Sequence, residues 1–100
     1  MPARLDPPQP LDIEFVASIG VDVKGDVWSA IQVPDSAAQF GSLRSVRVDA
    51  TVDDILIENI GLMPTGTGEL MLSVSAALRK KLGKDVGDVV RVALLRRLTA

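Results

Sequence analysis

One hundred residues, 47% of them hydrophobic and 24% charged, make one domain with one core and leave no room for a second. With no cysteine and no histidine, disulfides, thiolate metal sites and Ser–His or Cys–His mechanisms are excluded, and a reducing, cytoplasmic setting is expected. The net charge of −2 divides unevenly: residues 1–74 hold 4 basic and 11 acidic side chains, a balance of −7, and residues 75–100 hold 7 basic and 2 acidic, a balance of +5.

Pro2, Pro7, Pro8 and Pro10 predict a disordered tail over residues 1–10, since proline suits neither a helix interior nor a central strand. That segment also lacks the apolar run of a signal peptide, and no later stretch approaches the ~20 apolar residues of a membrane helix. A single β-barrel domain is expected over residues 11–98. Only Phe15, Trp28 and Phe40 are aromatic, so Val, Ile, Leu and Ala must fill the core, and the β-branched ones among them favour strands.

Leu11, Ile13, Phe15, Ala17 and Ile19 alternate with Asp12, Glu14, Val16 and Ser18, the period-two mark of a strand with one buried face. Gly25-Asp26 signals a turn, and residues 27–33 read as a second strand stopped by Pro34. Residues 36–42 read as a loop with room for a helical turn. Val46, Val48, Ala50 and Val52 mark a third strand; Asp53-Asp54 is a turn, and residues 55–60 are its hairpin partner. Residues 61–68 hold three glycines and a proline and read as a loop, and Leu70, Leu72 and Val74 mark a fifth strand. One short helix follows, with Ser75 as N-cap and Gly83 as C-cap. Gly87-Asp88 turns the chain into a last strand over residues 89–95, largely apolar on both faces, as expected near the centre of a barrel or at an interface. The fold class is mainly β: a small five- to six-stranded barrel with one short helix before the last strand.

The sequence Phe15-Val-Ala, Trp28 with Ile31, Val33 and Pro34, Phe40-Gly41, Val46 to Val52, Pro64-Thr-Gly-Thr-Gly68, Leu78 to Gly83 and Gly87-Asp88 resembles the domain-of-unknown-function family nineteen-oh-five. These are small bacterial domains sometimes fused ahead of a YdeI-like bacteriocin-protection domain. The resemblance covers residues 11–96 and implies a small β-barrel; it implies no activity. Asp53-Asp54 stands where a glycine turn is expected, which leaves the hairpin's shape open. A shorter stretch, Leu70 to Leu94, is similar to the swapped-hairpin DNA-binding proteins of the AbrB type, though Val74-Ser75 stands where those place a proline.

Few residue patterns here carry chemistry. Asp53, Asp54 and Glu58 offer carboxylates, but turn acids are solvated, whereas a general acid needs a raised pKa, and the spacing lacks the pattern of a calcium loop. Residues 61–68 lack the Lys-Ser/Thr pair and following helix of a phosphate loop. No catalytic residue, metal site or cofactor is expected. Trp28 can be a binding spot or a core cap, and Thr65 and Thr67 can form the rim of a ligand site. Arg79, Lys80, Lys81 and Lys84 can meet nucleic acid, or simply complement the helix C-terminus.

The expected function is therefore that of a non-enzymatic binding or accessory module, a monomer or homodimer, recognising a small molecule, a peptide or a protein. The alternative is a nucleic-acid-binding, AbrB-like regulator using the basic helix region. With a negative overall charge and no interleaved aromatics, nucleic acid is the less favoured partner.

Overall fold

The computed structural model describes residues 4–41 and 46–99. Among the described residues, eight strands and two helices follow one another as β1 (Arg4–Ser18), β2 (Val21–Val23), β3 (Asp26–Trp28), β4 (Ala30–Val33), α1 (Ser36–Phe40), β5 (Val46–Val52), β6 (Ile55–Pro64), β7 (Leu70–Ser73), α2 (Ala76–Leu82) and β8 (Val89–Thr99). Six strands form one sheet in the order β1-β8-β5-β6-β7-β4, with every neighbouring pair antiparallel, and β2 and β3 form a separate two-stranded ribbon. The sheet curls into a half-barrel. Among the described residues its end strands do not pair, but Gly20, just after β1, donates its N–H to the Ala30 carbonyl at the start of β4 at 2.7 Å.

Alternation sets the core. Val46, Val48, Ala50 and Val52 of β5, Val90, Val92 and Leu94 of β8, and Ile31 and Val33 of β4 point inward and are buried, with Leu62, Leu70, Leu72 and Phe40. β8 lies between β1 and β5, but of its two expected apolar faces only that of Val90, Val92 and Leu94 is buried, with Val89 and Arg91 exposed on the other. Strand β5 is irregular at Asp49, where the register shifts against both neighbours. The extra residue in each shift lies on β6 and on β8, so Asp49 keeps its place between Val48 and Ala50 and is nearly buried, where Oδ1 accepts the Asn59 N–H at 2.8 Å and Oδ2 pairs with Arg96 Nε at 2.9 Å.

Several boundaries differ from those expected from the sequence. Residues 4–10 belong to β1, not to a tail; the prolines are tolerated because β1 is an edge strand, where a missing N–H costs no ladder bond, and its pairing with β8 is broken by shifts between Arg4 and Gln9 and between Pro10 and Ile13. Residues 1–3 lie outside the described residues. The expected second strand is two, β3 and β4, separated at Ser29. A second helix, α1, occupies the stretch read as a loop. Strand β6 continues through Gly61 to Pro64, so the glycine-rich loop is shorter than expected. The Asp53-Asp54 turn has φ of 48° and 77°, both positive as the tight I′ hairpin turn requires, and Asp tolerates this region where most side chains do not. Among the described residues, no helix is long and apolar enough to cross a membrane.

Candidate functional site

The two-stranded ribbon ends in a Lys24-Gly25 turn with positive φ at both residues, braced by the Gly25 N–H donated to Asp22 Oδ1 at 2.9 Å. Val21 on one side of the ribbon is buried with Ala30 and Met71. Trp28, its register partner, shares that side and remains 43% exposed, while Val27 faces the other way and is 66% exposed. Beside the ribbon, Gly20 has φ of 137°, and a Cβ there would lie 3.4 Å from Val86 Cγ1 and 3.6 Å from Val27 Cγ1. Val27 and Val86, both exposed, thus flank Gly20 across the ribbon and the α2–β8 connection.

Ser29 follows Trp28 directly. Its hydroxyl donates to the Val74 carbonyl at 2.8 Å and accepts from Arg79 Nη1 at 2.5 Å. Arg79 Nη1 also donates to the Val74 carbonyl at 3.1 Å, and Nε pairs with Asp85 at 3.3 Å. The fold therefore brings Arg79 next to the Trp28 ribbon. It does so by using up the guanidinium in internal bonds.

Helix α2 is built as its sequence predicts. Ser75 is extended, its Oγ accepts the Leu78 N–H at 3.1 Å, and Gly83 closes the helix in the left-handed region at φ 67° with its N–H turned back to the last carbonyls. Leu78 anchors the helix in the core. Of the four cations expected to act together, Lys84 is engaged: Nζ pairs with Asp53 Oδ2 at 2.5 Å and donates to the Val89 carbonyl at 2.7 Å. Lys80 and Lys81 are exposed. A surface basin of about 370 Å³ beside the helix is lined by Arg79, Lys80 and Lys84 but also by Asp85 and Asp88, so it holds both signs of charge.

Thr65 and Thr67 meet each other and lie in the β6–β7 loop, away from the hydrogen bonds of the Trp28 ribbon. Thr65 is buried; its N–H donates to the Glu69 carbonyl at 2.9 Å, and its Oγ1 accepts the Thr67 N–H at 3.1 Å and lies 2.8 Å from Thr67 Oγ1. This hydroxyl closes the loop, and the Thr67 side chain stays exposed. The loop is further pinned by Glu69, whose Oε2 accepts both the N–H and the hydroxyl of the fully buried Ser36 at 2.9 and 2.5 Å. Those two bonds, the hydroxyl's first, hold the Glu69 carboxyl below its usual range.

Among the turn acids, Asp53 is structural. Its Oδ1 accepts the Arg91 N–H at 2.8 Å; that bond first, and Lys84 second, lower its pKa, the direction opposite to that needed by a general acid at neutral pH. Among the described residues, no three Asp or Glu side chains are grouped as a metal site.

Sequence reasoning missed a groove of about 310 Å³ on the other flank of α2, lined by residues 55–58 of β6 and by Ser75, Ala77, Leu78 and Lys81. Strand β6 pairs with β5 from Ile55 to Leu62 but with β7 only from Leu62 to Pro64. Nothing local in the sequence signals where β7 leaves β6.

The family model described as domain of unknown function (DUF1905) matches residues 15–94, a span that begins inside β1 and ends inside β8. The search of curated proteins finds no match.

Proposed function

The chain belongs to the DUF1905 family, and from that premise we propose that it is a cytoplasmic, non-enzymatic accessory module that binds a protein or peptide partner on the face formed by the β2–β3 ribbon and the α2–β8 connection. One observation carries the reading: Val27 and Val86, which flank Gly20 on adjoining elements, keep large apolar surfaces in solvent at 66% and 47% exposure, although the chain has apolar side chains enough for its core. Exposed apolar groups gathered on adjoining elements, with polar groups such as Arg79 and Asp85 beside them, have the composition of a contact surface. The face is open, which suits a macromolecular partner better than a small molecule, since small ligands favour enclosed clefts.

Trp28 is the sole tryptophan and the chain neighbour of Val27 on the same ribbon, so its emission reports on the ribbon without labelling. The test is native mass spectrometry of the protein purified from cell extract, combined with titration of any retained species followed by Trp28 emission. Val27→Asp and Val86→Asp, at exposed positions, are expected to abolish retention while leaving the circular dichroism unchanged. Retention that survives both changes refutes this face. Binding should change little with salt, because apolar contact, unlike phosphate contact, releases no condensed counterions.

A further inference from the structure

We propose that the groove between β6 and α2 receives an extended polypeptide segment, which adds to β6 as a strand and places an acidic side chain beside Lys81. This inference concerns the flank of α2 opposite the Arg79 basin and stands independently of the Val27–Val86 face.

The strand supplies the first half of the case. Consecutive strand residues point to opposite faces, so a groove lined by all of residues 55–58 runs along the strand's edge and not over one of its faces. On that edge β6 has no strand neighbour, because β7 pairs only from Leu62 onward. No turn, loop or cap bond among the described residues reaches the backbone of residues 55–58. An open edge carrying Ile55, Leu56 and Ile57 is a template for another extended backbone. It lies within the sheet order and not at its end, so an added strand would continue the line that β7 abandons. Beyond it, the Asn59 N–H and carbonyl are taken by Asp49 and Arg47, which ends the usable edge.

The helix supplies the second half. Ala77 and Lys81, four residues apart, stand on one flank of α2 and wall the groove. An extended segment between a strand edge and a helix wall takes its affinity from main-chain bonds and its specificity from side-chain contacts. The apolar floor is Leu78 and the exposed Leu56. Lys81 and its neighbour Lys80 are exposed, and neither forms an ion pair among the described residues. Glu58 is the one acid lining the groove, on the strand and not the helix side, so a carboxylate is favoured next to Lys81.

The test uses the full chain, labelled with nitrogen-15, and two capped hexapeptides of alternating valine and threonine, one with glutamate at both ends and one with lysine. The expected result is that amide signals of Ile55–Glu58 shift and gain protection from hydrogen exchange on titration, with the glutamate peptide about threefold tighter, the scale of one exposed ion pair. Lys81→Glu, at an exposed site that leaves the fold intact, should reverse that preference. N-methylation of the glutamate peptide, which removes its donors, should abolish binding. The proposal is overturned if amides 55–58 stay unmoved up to about 1 mM peptide, if the preference is indifferent to Lys81→Glu, or if these amides shift with protein concentration alone, which would make the edge a self-association surface.

Discussion

The Asp53 carboxylate and the Lys84 ammonium meet at 2.5 Å and tie the β5–β6 turn to the segment that leads from α2 into β8. The same carboxylate accepts the Arg91 N–H, and Arg91 returns its carbonyl to the Asp53 N–H at 2.8 Å. One turn residue thereby fixes the start of β8 through three bonds.

The pH dependence follows from the sign of the shift. Folding lowers the Asp53 pKa below its ordinary value of 3.8, so its contribution to stability is present above that value and is lost as the pH falls through the lower, folded one. Asp53→Asn keeps a residue suited to positive φ and should cost about 1 kcal/mol near neutrality for this partly solvated group. Denaturation midpoints of the two proteins should converge as the pH is lowered below 3.8. A gap that persists in acid would show that the charge is not what stabilises the turn.

Ser36 is a harder loss. Its hydroxyl donates to Glu69 and accepts the Leu70 N–H at 2.7 Å within the core, so Ser36→Ala leaves a buried N–H without a partner and should cost about 1–3 kcal/mol. Urea unfolding measures it, and a midpoint equal to that of the parent would refute the account.

Ser75→Ala should lower stability by about 1 kcal/mol through loss of the Leu78 N–H bond at the start of α2. Hydrogen exchange should show the effect concentrated at Leu78 and its neighbours, whereas uniform loss of protection would place the cause elsewhere.

Gly20→Ala combines a backbone conformation that L residues rarely adopt with a Cβ facing Val86 and Val27. The expected cost is about 1–3 kcal/mol, accompanied by altered Trp28 emission as the ribbon shifts. Unchanged stability would mean that the chain turns here without needing glycine.

For nucleic acid, the engagement of Arg79 and Lys84 leaves Lys80 and Lys81 as the exposed cations of the helix region. Duplex and single-stranded DNA are therefore expected to bind no tighter than the roughly 10⁻⁴ to 10⁻⁶ M of non-specific contact at physiological salt. Sub-micromolar binding with a steep salt slope, abolished by Lys80→Glu with Lys81→Glu, would establish the opposite.

These residues show which parts of the structure are legible in the sequence. Helix α2 is legible because Ser75 and Gly83 act within a few positions of where they stand, and β5 because Val46, Val48 and Val52 follow the two-residue period. The edge position that admits Pro7, Pro8 and Pro10 into β1 is not legible, since it depends on sheet order. Neither are the partners of Asp53 and Ser36, which lie 31 and 33 residues away. Trp28 and Lys81 are visible as residue types; what each faces is decided by where β3 ends and where β7 parts from β6.

Among the described residues, strand β1 pairs with β8 alone, with Arg4 opposite Thr99. A chain growing on a ribosome therefore makes β1 with no strand to lie against until β8 has been made. Strand β5, whose second neighbour is also β8, waits with it. The sheet is completed only once β8 is available, and folding should be slow for a domain of this size, because its largest interface joins strands far apart in sequence.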